Sequence, residues 1–139
     1  MTYAALALQL TAQSVERCAD RSAARAQMLA QIAEIGSALA SAQIFIEQFG
    51  GAPLRLVVLP EYVLTGFPGR ISIADFAHKA ALDIGGPEYE ALGRIASAQR
   101  LFLAGNAYEA DAHFPGLYFQ TSFVIDPAGA VVLRYRRLN

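Results

Sequence analysis

The chain is poor in lysine, cysteine and histidine, and each shortage excludes something. Lys79 is its single lysine, and the other basic residues are all arginine. They form no basic tract, and the formal net charge is −1, which argues against DNA or RNA as a partner. Cys18 stands alone, so no internal disulfide forms, in keeping with a cytoplasmic setting. His78 and His113 are the only histidines, and neither has metal-ligand spacing with the other or with Cys18. A zinc site is therefore not expected, and both read as solvated or hydrogen-bonded side chains. No stretch reaches about 18 uninterrupted apolar residues, so no transmembrane helix is expected. The opening MTYAALALQLTAQ lacks the positively charged leader of a secretory signal, and a cytoplasmic protein is expected. No internal repeat, low-complexity linker or second domain interrupts the 139 residues.

What the chain has in excess is apolar surface. Its hydrophobic fraction is 55%, above the usual share of about 45–50%. Either the core is large, or some apolar surface is covered by a partner subunit or by polypeptide outside this chain.

The order of elements reads as α/β. Tyr3 to Leu10 is a strand apolar enough to be buried on both faces. A helix follows over about Asp20 to Phe49, with Met28, Leu29, Ile32, Ile35, Leu39, Ile46 and Phe49 at helical spacing. Gly50-Gly51 and Pro53 stop it. Leu54 to Leu59 is a second strand, and a β-α-β opening implies parallel neighbours. Ser72 to Ala81 is helical. Gly85-Gly86-Pro87 then starts a helix running to Gln99, with Leu92, Ile95 and Ala96 inward. Strands are expected over Leu101 to Tyr108, Tyr118 to Ile125 and Ala130 to Tyr135. The link Asp126-Pro127-Ala128-Gly129 suits a type I turn, so the last two strands form an antiparallel hairpin. A mixed sheet with helices on one or both faces follows.

One stretch, LVVLPEYVLTGFP from Leu56 to Pro68, ends a buried strand on a carboxylate. In open α/β sheets, functional groups collect just past the carboxyl ends of strands. Glu61 is placed there, either as a functional group or as a capping or surface carboxylate. Tyr62 and Phe67 flank it, either lining a pocket or packing the strand end. Arg134, Arg136 and Arg137 cluster at the close of the last strand, where composition alone reads as a charged edge. Asp111 and His113 lie in a loop that either borders a pocket or is simply polar. Gly85-Gly86 and Gly105-Asn106 lack the glycine pattern of a phosphate-binding loop.

The stretch LVVLPEYVLTGFP resembles the first signature of the carbon–nitrogen hydrolase (nitrilase) superfamily. Two more segments resemble it in order: Gly86-Pro87 with a helix and then LFLAGNAYE (Leu101 to Glu109), and SFVIDPAGAVVLRYRRLN (Ser122 to Asn139). The resemblance implies a four-layer α-β-β-α sandwich of two sheets, of which this chain is the N-terminal portion. It implies hydrolysis of a non-peptide amide or nitrile by a Glu-Lys-Cys triad, with no metal or organic cofactor. Glu61 matches the general base, which takes a thiol proton and later activates water. A semi-buried glutamate, raised by desolvation, suits that role. The family's lysine falls on Arg137, which keeps the charge, changes reach and shape, and cannot share its proton. Lys79 lies in a presumed helix away from that position. The nucleophilic cysteine of the family comes later than residue 139, and Cys18 does not match its motif, reading instead as a small part-buried thiol. The chain alone is therefore expected to be inactive. Its partners would be a small amide or nitrile, and either a complementing C-terminal half or a second copy. Two other readings remain: a non-catalytic or partner-dependent subunit keeping the scaffold, and a plain α/β fold with Glu61 on the surface.

Overall fold

A computed structural model describes residues 2–137. Met1, Leu138 and Asn139, the last two ending the third family-like segment, lie outside the described residues. Eight elements run in the order β1 (Ala4–Ala7), α1 (Arg21–Gly50), β2 (Leu54–Val58), α2 (Ile73–Ala80), α3 (Pro87–Gln99), β3 (Phe102–Ala110), β4 (Tyr118–Ile125) and β5 (Val131–Arg136). They build one five-stranded sheet in the order β1-β2-β3-β4-β5. The first three strands are parallel and the last two antiparallel, the mixed α/β sheet that the pattern predicts.

Register sorts the side chains into two faces, because successive residues of a strand point to opposite sides. Leu6, Val57, Leu103 and Ile125 form a row on one face. The last three of these are fully buried, within the core shared with α1 and α3. Ala7, Val58, Ala104, Val124 and Leu133 form a row on the other face. There Val58 and Leu133 are 43% and 49% exposed, and Phe102 and Tyr135 are exposed too. Among the described residues no helix covers this row; α2 packs only at the sheet end, where Phe76 meets Tyr108 and Tyr118. Part of the apolar excess of the composition lies on this open face, and Ile44, Phe45 and Phe49 are exposed as well.

α1 begins where the Asp20 side chain accepts from the Ala23 N–H, which satisfies one of the free donors of the first turn. Ala24, Met28, Ile32, Ile35 and Leu39 form its buried stripe. Gly51 ends it in the left-handed region at φ 67°. The apolar spacing of α1 outlasts its burial. Phe49 is 70% exposed and Ile46 only half-buried. A 30-residue helix is roughly 45 Å long, while a five-residue strand spans about 17 Å, so the last turns overrun the sheet. By length and composition α1 is also the one helix among the described residues that could cross a membrane, although its stripe is part of the domain core. β1 is likewise shorter than the apolar pattern and only half-buried, on one side, because it is an edge strand with an uncovered outer face. Ile95 faces inward as expected, half-buried against the core beside Gly36 of α1. β3 runs two residues beyond Tyr108, because Leu82 bridges its far end through the Tyr108 carbonyl and the Ala110 N–H.

Two carboxylates lie fully inside the helix side. Glu88 accepts from Arg25 Nε at 2.7 Å. Glu109 accepts from the Tyr89 hydroxyl and pairs with Arg134 Nε at 3.2 Å, and Arg134 also lies over the Tyr89 ring. Burial, then contact with Glu109, pushes the Tyr89 phenol well above its usual range, so it remains a donor. Removing one partner of a buried pair strands the other charge. Arg134→Met should therefore destabilise the fold by about 3 kcal/mol, the low end for such losses because Arg134 is itself part-exposed. Glu109→Gln, which strands no carboxylate, should cost less. Urea unfolding of the two variants measures the difference.

Candidate active site

Glu61 reaches its place through three local constraints. Leu59 N–H still bonds to the Ala104 carbonyl, so the chain leaves β2 in register with β3. Pro60 then has no N–H to continue the ladder. Tyr62 takes the left-handed region at φ 59°, uncommon outside glycine, which folds the chain back on itself. Its carbonyl accepts from the Thr65 and Gly66 N–H groups at 3.2 and 2.8 Å. Thr65 is buried, and its carbonyl anchors the Val15 N–H of the loop before α1. Gly66 lies at φ 67°, where a Cβ would come within 2.8 Å of Ser14 Cα. The Thr-Gly of the signature is thus a requirement of close backbone approach.

The turn delivers Glu61 to the polar end of the open sheet face. Tyr108, Gln120 and Arg137 meet there across β3, β4 and the end of β5. Gln120 Nε2 donates to Glu61 Oε1, and at 3.1 Å to the Tyr62 hydroxyl oxygen. Asn106 Oδ1 lies 3.4 Å from the same nitrogen. Arg137 Nη1 donates to Gln120 Oε1 at 3.3 Å and stands 3.8 Å from Glu61 Oε1. The two sequence-predicted site residues therefore do come together, through a glutamine that the sequence did not single out. Its signal was parity: Asn106, Gln120 and Arg137 fall on one face once the hairpin is paired.

Glu61 is 51% exposed on its side chain, not semi-buried as its expected role suggests. The open face above it leaves it to solvent. Tyr62 is half-buried, stacked on Tyr108 at 5.2 Å, and Phe67 lies edge-on to it at 6.0 Å with most of its ring exposed. Burial first, then Tyr62, Tyr118 and Glu61, push the Tyr108 phenol up, so it stays protonated.

The other candidates lie apart from this group. Lys79 Nζ donates to the Glu16 and Cys18 carbonyls at 2.8 and 2.7 Å, tying down the loop before α1. Cys18 Sγ donates to Gln27 Oε1 at 3.4 Å. An open groove of about 830 Å³ does not include Glu61. It runs between α2 and the β3–β4 loop past His78, Asp83, Asp111 and His113. Asp111 accepts from the His113 backbone N–H at 2.9 Å and from Arg136 at 2.7 Å. Among the described residues no three His, Cys, Asp or Glu side chains cluster as metal ligands.

The family model of carbon-nitrogen hydrolases matches residues 12–139. The chain belongs to the carbon-nitrogen hydrolase family. Solved structures share its fold. An N-terminal amidase matches at TM-score 0.70 and 18% identity over 96% of this chain. Saccharomyces cerevisiae Nit3, a member of branch 10 of the nitrilase superfamily, matches at 0.61 and 18% over 81%. A carbon-nitrogen hydrolase from Helicobacter pylori G27 matches at 0.55 and 16% over 93%. The chain spans 27%, 40% and 38% of those three chains respectively. No curated protein sequence matches it.

Two outcomes test this geometry. Gly66→Ala should cost at least about 1–2 kcal/mol, since a left-handed residue gains a Cβ against Ser14 backbone; thermal unfolding reads it. The His113 backbone hydrogen bond, then Arg136, lowers the Asp111 carboxyl from 3.8 to about 2. A depressed folded-state value means the stabilisation is whole above pH 4 and fades as pH falls through about 2. The His113 backbone amide resonance should titrate in that window and stop doing so in Asp111→Asn.

Proposed function

We propose that this family member is the base-bearing portion of a hydrolase that cleaves a non-peptide carbon–nitrogen bond in a small amide or nitrile. The observation that carries the reading is the convergence of Glu61 and Arg137 at the carboxyl end of β2, bridged by Gln120. Glu61 acts as general base toward a thiol, a group mostly protonated near neutral pH and dependent on a neighbouring base. It then activates the water that releases the acyl group. Arg137 offers N–H groups to the tetrahedral oxyanion. Tyr62 and Phe67 border the acyl site. The thiol comes from polypeptide beyond these 139 residues, because Cys18 is held by Gln27 in the loop before α1. That polypeptide lays a second sheet on the open face, completing four layers and withdrawing Glu61 from solvent. The single cysteine fits a cytoplasmic setting.

A second reading rests on two observations: Arg137 stands where the resemblance places lysine, and Glu61 is half-exposed. In it the chain is a non-catalytic or partner-dependent subunit whose apolar face is a binding surface.

Mixing the chain with a C-terminal half of a family member that carries the cysteine separates them. Ammonia release from a small amide, cut about 100-fold or more by Glu61→Gln, is the result expected of a base. The chain alone should be inactive. Hydrolysis by the chain alone, lost in Glu61→Gln, would overturn the division of the site. Stable association without turnover would favour the subunit reading.

A further inference from the structure

We propose that Gln120 is a positioning residue whose side-chain amide stands between Glu61 and Arg137 and holds the cation off the base. Its Nε2 donates to Glu61 Oε1 while its Oε1 accepts from Arg137 Nη1 at 3.3 Å. The direct Arg137–Glu61 contact, 3.8 Å, is a loose ion pair, too long for a hydrogen bond. The backbone fixes the arrangement: the Arg137 N–H bonds to the Gln120 carbonyl at 2.9 Å, so both side chains leave paired residues on one face. The amide can point only one way, because a carboxylate only accepts and a guanidinium only donates. The Tyr62 hydroxyl, 3.1 Å from Nε2, sits on the same side. A glutamate at 120 would repel Glu61, and a lysine or arginine would repel Arg137. Asparagine is shorter by one methylene.

The spacing matters because, without the amide, this loose ion pair can close into a hydrogen-bonded contact pair. Such a pair neutralises the carboxylate that must take a proton. It also occupies the N–H groups that would meet an oxyanion. With the amide between them, the charges share one neutral bridge and each keeps a free side. This consequence for catalysis rests on the hydrolase reading; the bridge itself does not.

Side-chain NMR of the ¹⁵N-labelled chain tests the bridge without turnover. In the wild type, Glu61→Gln should shift the Gln120 side-chain NH₂ signals. In Gln120→Met, Arg137 should close on Glu61 and its guanidinium N–H signals should shift. Adding Glu61→Gln to Gln120→Met should reverse that second shift. Gln120→Asn should restore the wild-type Arg137 signals only in part. Backbone amide dispersion reports folding. If Gln120→Met does not fold, the Glu61→Gln comparison in the wild-type background decides alone. A Gln120 NH₂ group indifferent to Glu61→Gln, or Arg137 signals identical in wild type and Gln120→Met, overturns the proposal. A bridge seen by NMR together with no hydrolysis in the complemented wild type would remove the hydrolase reading and leave the positioning role standing.

Discussion

Strand register is the constraint on which the rest of this molecule depends. A slip of one residue between β3 and β4 would carry Gln120 to the helix face and turn Phe123 out to solvent. Phe123 is almost fully buried and meets the Tyr89 ring edge-on. The core therefore holds the register, and the register places Gln120 opposite Tyr108 and beside Arg137. The Asp126 turn closes the next strand: its side chain accepts from the Ala128 and Ala130 N–H groups, and its carbonyl accepts from Gly129. A hairpin pinned in this way fixes which face Arg137 can reach.

The same register makes the sheet one-sided. Its helix side is a continuous core, while the other side exposes Val58, Phe102, Leu133 and Tyr135. Apolar rows of this kind seldom stay bare in a stable soluble domain. The family members with solved structures are far longer than this chain, which spans 27% to 40% of those compared. The open face and the half-exposed Glu61 are one fact, because whatever covers the apolar rows also sets the solvation of the carboxylate at their end.

Charge is divided between the two faces by purpose. On the helix side, Glu88 and Glu109 are fully buried and each is met by an arginine, with Tyr89 completing the second site. Those pairs join α1 to α3 and β3 to β5, and Tyr89 ties α3 to the second. On the open side, Glu61 and Arg137 are exposed, stand 3.8 Å apart as a loose ion pair, and both bond to the Gln120 amide. Burial needs close pairing to offset desolvation. Exposed charges carry no such requirement.

Much of this was legible along the chain, for reasons that are local. Helical spacing and the Gly50-Gly51 stop marked α1; turn residues marked the β4–β5 hairpin; Pro-Glu after an apolar run placed Glu61; and the three ordered segments marked the family. The ends were less legible. Phe49 and Ile46 keep helical spacing past the point where the sheet beneath them ends, and β1 looks doubly buried although it lies at an edge. Spacing reports which face a residue is on, and only neighbours decide whether that face is covered. Gln120, Glu88 and Glu109 carried no local signal, because their partners lie on other elements, 59 residues away for Glu61 and 63 for Arg25. The sequence alone determined the elements, their order, the family and the position of Glu61 at the end of β2. The tertiary structure alone decided that one sheet face is open, that Lys79 is committed to loop carbonyls, and that a glutamine stands between the two charges. Contacts across strands follow from register and packing, which no stretch of sequence contains by itself.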